Sequence, residues 1–227
     1  MRVIAIANQK GGTGKTTLSI NICYYLSQMR KERTLLIDAD LGQESSTSWA
    51  SLNEGRYFDV VGIKPNAIKD FIERNMGSYD NVIIDCPPRA NKEQGRFVQV
   101  SHLVLLPIQP SPFDVWASME LAEIIQTYRN LTAGTPGLPP AGLPHAYFVM
   151  SMGVRGSRII GETADAITDT GFGHLNAMTT QYQVYKRSIA EGKTIFDATE
   201  RQGLAEKQII DIAEEAIRII DNENTND

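Results

Sequence analysis

The segment Lys10-Gly11-Gly12-Thr13-Gly14-Lys15-Thr16-Thr17-Leu18 follows a short apolar run, Val3-Ile4-Ala5-Ile6-Ala7. It leads into a stretch that places Leu18, Ile22, Tyr25, Leu26 and Met29 on one helical face. Strand, glycine loop and helix, in that order, form the context a phosphate-binding loop requires. Glycines at 11, 12 and 14 open backbone conformations closed to other residues, so consecutive N–H groups can converge on one anion. A helix beginning near Lys15 adds its positive dipole end. Lys15 supplies a point charge for the β- and γ-phosphates, and the Thr16 hydroxyl a hard oxygen for Mg²⁺. Residues 10–17 therefore read as the binding site of a nucleoside triphosphate.

The rest of the chain fits that beginning. Apolar runs at 2–8, 34–38, 57–61, 81–85, 102–108 and 145–150 read as strands, with a weaker one at 174–178. Most are continuous rather than alternating, as expected of parallel strands covered on both faces. Helical patterns fill 15–29, 65–75, 113–130, 157–169 and 203–221. This alternation predicts an α/β fold, a doubly wound and mostly parallel sheet with helices on both faces. With 227 residues, 42 % of them hydrophobic, one domain over 1–221 has enough material for its core, leaving 222–227 as an acidic tail expected to fray. The proline-rich stretch 134–144 reads as a surface loop, because a strand–helix pattern resumes after it. No run approaches the roughly 18 apolar residues of a membrane helix, and no signal peptide is visible. Cys23 and Cys86 stand alone, which suits a reducing cytoplasm and suggests neither a disulfide framework nor a metal site. A net charge of −5 argues against whole-surface attraction to nucleic acid and leaves room only for a local basic patch.

Ligands of such sheets bind at the carboxyl ends of the strands. Lys10–Thr17, Asp38–Asp40 and Asp85–Pro88 would all converge there. Leu35-Leu36-Ile37-Asp38-Ala39-Asp40 ends a buried strand with two carboxylates, and Val82-Ile83-Ile84-Asp85 ends another with one. A carboxylate after a hydrophobic strand is costly unless it meets a cation or donors, and Mg²⁺ beside Thr16 would provide the cation. Asp85 is thus expected to grip Mg²⁺ through water, with Asp38 a second outer partner. Strand alternation turns Asp40 the same way as Asp38 but farther out, toward the γ-phosphate. Phosphoryl transfer to water needs a group that orients the nucleophile.

The general loop pattern has Gly at position 9, whereas this chain has Gln9 and a second lysine, Lys10. That is the deviant form K-G-G-x-G-K-[ST], in which the chain resembles the ParA/MinD family of Walker-type ATPases. The resemblance extends over most of the sequence. It implies that Lys10 reaches the phosphates bound by a second subunit, giving a homodimer in the ATP state. It also implies that Asp40 orients the attacking water in a first switch segment, and that Asp85-Cys86-Pro87-Pro88 belongs to a second. The family commonly continues P-Q-x-S after the second Asp. Here the order is Leu41-Gly42-Gln43-Glu44-Ser45, with the Pro missing and the Gln one place late.

The segments Leu106–Asp114 and Thr180–Phe196 resemble those of short partition ATPases that lack a helix-turn-helix domain. Such a protein would partition or position plasmid DNA or another cargo. It would hydrolyse ATP slowly alone, bind duplex DNA non-specifically as the ATP-bound dimer at the nucleoid, and be released by a ParB-like or cargo adaptor. Lys186, Arg187 and Lys193 are the first candidates for DNA contact, with Arg155, Arg158, Arg201 and Lys207 behind them. Near-balancing acids at Glu191, Asp197, Glu200 and Glu206 leave a plain solvated face as the competing reading. A membrane-docking relative would end in a basic amphipathic helix. Here Glu214 and Glu215 are expected opposite a stripe of Ile209, Ile210, Ala213, Ile217 and Ile220, which argues against that. Iron–sulfur relatives need paired cysteines. A GTPase would want N-K-x-D, and Asn91-Lys92-Glu93-Gln94 fails at the last place. The different-class alternative is a small-molecule ligase of the same fold, similar to dethiobiotin synthetase. Base contacts are sought at Met152-Gly153 and Thr180–Gln183.

Overall fold

The computed structural model describes residues 1–42, 45–53, 57–88, 94–132, 144–197 and 203–223. Its strands are β1 (Arg2–Ile6), β2 (Thr34–Asp38), β3 (Asp59–Gly62), β4 (Asn81–Asp85), β5 (Leu103–Ile108), β6 (His145–Met150) and β7 (Gly173–His174). They form one parallel sheet in the order β3-β2-β4-β1-β5-β6-β7. Its helices are α1 (Lys15–Tyr24), α2 (Ser45–Leu52), α3 (Ile68–Arg74), α4 (Gln94–Val100), α5 (Pro112–Ala117), α6 (Met119–Thr132), α7 (Arg158–Asp169), α8 (Gln183–Ala190) and α9 (Gly203–Glu223).

The continuous apolar strands are continuous because each face feeds a separate core. Along β1, Ile4 and Ile6 pack with Leu18, Ile22 and Leu26 of the first helical segment and with Ile209, Ile212 and Ile217 of α9. Val3 and Ala5 point the other way, among Ile68, Phe97, Leu121, Ile125 and Ile167 of α3, α4, α6 and α7. A two-residue period thus splits one hydrophobic run between two helix layers.

Several elements differ from their sequence expectation. The long stretch 113–130 is two helices, broken at the buried Ser118. The Ser118 hydroxyl donates to the Asp114 carbonyl at 2.8 Å and accepts from Asn8 Nδ2 at 3.4 Å, which ties the break to the loop after β1. The first helix widens into a π-helical turn over Tyr25–Met29, where the Arg30 N–H donates to the Tyr25 carbonyl. Met29 sits at its end 51 % exposed, so it does not share the buried stripe with Leu26. Helices α2, α4 and α8 are short, and α2 is rich in Ser. The weak strand at 174–178 is reduced to two residues at the sheet edge.

Glu214 and Glu215 are half-buried, and each is engaged by a neighbouring element. Glu214 accepts from the Tyr25 hydroxyl and from Arg30 Nη1, while Glu215 accepts from the backbone N–H groups of Asn176 and Ala177 at 2.9 and 3.0 Å. The buried stripe of α9 holds the expected Ile209, Ala213, Ile217 and Ile220 and adds Ala205, Gln208, Ile212 and Ala216, with Ile210 only partly buried. The helix continues to Glu223, two residues into the segment expected to fray, and Asp221 receives two guanidinium hydrogen bonds from Arg2 at 2.9 Å. Gln43, Glu44, the 91–93 segment, most of the proline-rich stretch and Arg201 lie outside the described residues. Among the described residues, no helix is long and apolar enough to cross a membrane.

Candidate functional site

Parallel registry fixes the site before any side chain does. Ile6 of β1 pairs with Asp85 of β4, and Asp38 of β2 pairs with Asp85 across the other edge. The loop after β1 therefore emerges between the two acidic strand ends and the carboxyl end of β5. Gly12 and Gly14 carry positive φ of 75° and 96°, conformations that strain any residue with a Cβ. Gly14 is also the residue from which α1 starts, and its carbonyl accepts the first helical bond, from Leu18. Gly11 has no such φ and its missing Cβ would meet nothing within 4 Å. The expectation that all three glycines are conformationally required thus holds for Gly12 and Gly14 only.

The loop, α1 and the strand ends enclose an open basin with about 750 Å³ of unfilled space, lined by Gly11, Gly12, Gly14, Lys15, Thr16, Thr17, Asp40, Ser45, Asp85, Cys86, Pro88, Met152 and Lys186. Lys15 is largely buried, and its ammonium donates to the Lys10 carbonyl at 3.1 Å. Desolvation pulls its pKa below the ordinary lysine value, while Asp85, Cys86 and Asp40 work in the opposite direction. A cation held this way gains most from a polyanion.

Asp85 is almost fully buried and its carboxyl is pushed up to about 6, chiefly by desolvation, with the Thr16 and Ser46 hydroxyls opposing. Ser46 donates to its Oδ2 at 2.8 Å, and its Oδ1 has no hydrogen-bond partner. Asp38 is differently occupied. Its Oδ1 accepts from the Asp40 N–H at 3.1 Å, and its Oδ2 from the N–H groups of Ser46 and Thr47 at 3.0 and 2.9 Å. Asp38 thus holds the polypeptide on either side of residues 43 and 44, whereas Asp85 presents a bare oxygen beside Thr16. Thr16 and Asp85 fit Mg²⁺, which binds through one or two carboxylates, waters and substrate phosphates.

Buried side-chain polar atoms are nearly always hydrogen-bonded, so exceptions need a reason. Among the described residues the exceptions are Gln9 Nε2, Asp85 Oδ1, Asp114 Oδ2 and Ser151 Oγ. Gln9 belongs to the glycine loop, Asp85 is the last residue of β4, Ser151 follows β6, and Asp114 joins the loop through Lys10. Asp85 lines the basin and Ser151 the slot beside it, two polar groups placed for a polar ligand, whereas Gln9 and Asp114 line neither cavity.

Beside the basin lies a more apolar slot lined by Gly14, Thr17, Leu18, Ser151, Met152, Thr179, Thr180, Gln181, Tyr182, Tyr185 and Lys186. It brings together the two segments from which base contacts were sought. Gln208 accepts from the Thr180 N–H at 3.1 Å and from the Tyr185 hydroxyl at 3.0 Å, buttressing one wall. Met152 adopts φ 59°, unusual for a residue with a side chain.

The three basic residues singled out for DNA do not act alike. Lys186 borders both cavities, next to Gly14 and Thr17. Arg187 and Lys193 instead both pair with Glu191, at 3.1 and 3.0 Å. Arg158 pairs with Glu162 and Lys207 with Asp211. Lys10 extends from the loop to Asp114 of α5, Nζ to Oδ1 at 2.8 Å. Sequence reasoning did not single out Asn8, Ser46 or Asp114. Ser46 follows closely on the D-x-D segment, and Asp114 closes the proline-rich run already noted, but neither has a spacing that stands out in one sequence.

Residues 4–202 match the model of the CobQ/CobB/MinD/ParA nucleotide-binding domain. A maintenance of carboxysome distribution protein A from Gloeobacter kilaueensis is 30 % identical over 200 residues, covering 86 % of this chain and 83 % of the relative. The solved structure of Cyanothece McdA in complex with ATP superposes with a TM-score of 0.76 at 17 % identity, over 95 % of this chain and 96 % of that one. That of pNOB8 ParA bound to nonspecific DNA gives 0.67 at 18 % identity, over 97 % and 99 %.

Proposed function

The chain belongs to the CobQ/CobB/MinD/ParA nucleotide-binding family, and from that premise we propose that it is an Mg²⁺·ATP-dependent, dimerising ATPase that positions a cargo. The observation that carries this reading is one basin walled by the glycine loop, the buried Lys15, Thr16, Asp40 and Asp85, whose Oδ1 lacks a hydrogen-bond partner. The loop N–H groups and the α1 N-terminus cradle the phosphates, and Lys15 leaves the Lys10 carbonyl to meet them. Thr16, and Asp85 through water, would hold Mg²⁺, which would supply positive charge to the phosphoryl oxygens. Asp40 orients the attacking water, and Asp38 anchors the segment that carries Asp40 to α2. The slot formed by Met152, Thr180 and Tyr182 receives the base. Lys10 reaches the phosphates of the other subunit, coupling dimerisation to ATP, and hydrolysis by one protein alone is slow.

Positioning of a cargo is favoured by the carboxysome-distribution relative, and non-specific DNA as the track by the DNA-bound ParA neighbour. In this reading the ATP dimer rides on DNA in the cytoplasm, aligning two copies of the Arg187 and Lys193 region. An adaptor on the cargo then triggers hydrolysis and release. The test is calorimetric. Mg²⁺·ATP should bind the wild-type protein and fail to bind Lys15→Ala, and undiminished affinity in the variant would refute the site.

A further inference from the structure

The ion pair between Lys10 and Asp114 is not a chance meeting of two mobile side chains. Lys10 Nζ is 2.8 Å from Asp114 Oδ1, and the two side chains are 51 % and 12 % exposed. The carboxylate is thus the fixed, recessed partner and the ammonium the movable one. Its other oxygen, Oδ2, is buried without a hydrogen bond. Both backbones are tied to Asn8, that of Lys10 directly and that of Asp114 through Ser118. Asn8 accepts from the Lys10 N–H at 2.9 Å, and donates to the Pro107 carbonyl at 2.7 Å and to Ser118 Oγ at 3.4 Å. Ser118 in turn donates to the Asp114 carbonyl at 2.8 Å. A second parking contact is linked to the first, since the Lys10 carbonyl holds the Lys15 ammonium at 3.1 Å.

We propose that Asp114 is the positioning residue for Lys10, a latch that holds its ammonium at the outer rim of the loop until a second subunit's phosphates compete for it. This rests on the proposed reach of Lys10 across the dimer. In a single subunit the latch keeps Lys10 out of its own phosphate basin, which leaves Lys15 as the lysine that serves the bound nucleotide there. In the dimer each Lys10 must leave an Asp114 whose carboxylate then lacks a cation. The latch therefore opposes association and sets the protein concentration at which ATP drives it. A pair with one half-exposed partner is worth up to about fivefold in an equilibrium constant. Two latches open per dimer, and at about threefold each their factors multiply to roughly tenfold.

The test measures dimerisation by sedimentation in a non-hydrolysable ATP analogue with Mg²⁺, for wild type, Asp114→Asn, Lys10→Ala and the double variant. Asp114→Asn should dimerise at roughly tenfold lower protein concentration. Lys10→Ala should stay monomeric, and the double variant should match it. The advantage of Asp114→Asn should vanish near 1 M salt, where charges are screened within about 3 Å. ADP affinity, which involves one subunit, should not change, and a merely structural role for Asp114 would change it. Should Asp114→Asn fail to fold, Asp114→Ser keeps a short polar residue at the helix start and carries the same expectation. If Lys10→Ala stays monomeric while Asp114→Asn dimerises no better than wild type, the latch is refuted and the dimer reading stands. If Lys10→Ala dimerises like wild type, the reach of Lys10 is refuted and the latch with it.

Discussion

Replacing Asp85 by Asn should stabilise the nucleotide-free protein at neutral pH while disabling it. The carboxyl is buried and its pKa is raised from 3.8 to about 6, mainly by desolvation. A folded-state pKa above the unfolded one means that the folded chain binds the extra proton between those values, so stability falls as pH rises through that window. The loss begins near pH 4, is complete above about pH 6, and amounts to about 3 kcal/mol at about 1.4 kcal/mol per pH unit. Asn carries no charge, so Asp85→Asn does not incur it. Its amide oxygen can still accept from Ser46, but its NH₂ needs a new partner, at a pH-independent cost of about 1–2 kcal/mol if none is found. Urea unfolding at pH 4 and pH 7.5, without nucleotide, separates the two effects. Wild type should lose about 2–3 kcal/mol relative to Asp85→Asn between those conditions. Mg²⁺·ATP should then restore stability to wild type far more than to the variant. Equal pH dependence in the two proteins would refute the claim that burial destabilises the Asp85 carboxylate until a cation meets its free Oδ1.

The basic residues can be separated in the same way. Lys186→Gln should weaken ATP binding about fivefold, the value of one partly exposed charge pair. The double change Arg187→Glu, Lys193→Glu should leave ATP binding unchanged and reduce ATP-dependent DNA co-sedimentation equally for all sequences, with a shallower salt dependence. Glu215→Ala removes the acceptor of the Asn176 and Ala177 N–H groups and should lower stability by about 1–2 kcal/mol. Hydrolysis per folded molecule should be unaffected, read as a lower unfolding temperature beside an unchanged turnover.

How legible the fold was depended on the kind of signal. The strands announced themselves because both faces are buried, so Val82-Ile83-Ile84 or Leu103–Ile108 leave no polar interruption to misread. The glycine loop was legible because its function demands residue types that few other roles demand together. Helix α2 was not, since Ser45–Leu52 is rich in Ser and buries only Ser46 and Trp49. The single stretch at 113–130 concealed its break at Ser118, a tertiary hydrogen bond to Asn8 that no local pattern encodes. Charge misled most in α9, where Glu214 and Glu215 look like a solvent face and instead hold Tyr25, Arg30 and two backbone N–H groups. Within the site, Lys15, Thr16, Asp40 and Asp85 converge as their spacing implied. The partners that tune them, Ser46 and Asp114, come from segments whose proximity only the folded chain creates.

Asp38 grasps the polypeptide on both sides of residues 43 and 44, through the Asp40 N–H on one flank and the Ser46 and Thr47 N–H groups on the other. A single carboxylate therefore works as the clasp of a small loop. What lies inside a clasped loop can change in length or composition without moving the points where it is fastened. The proline missing after Asp40 is a change of that kind, because Asp40 and Ser46 are both fastened to Asp38. The same arrangement makes Asp38 a shared dependency. Its loss would free Asp40, the acid proposed to orient water, and the Ser46 hydroxyl that bonds Asp85 in one stroke.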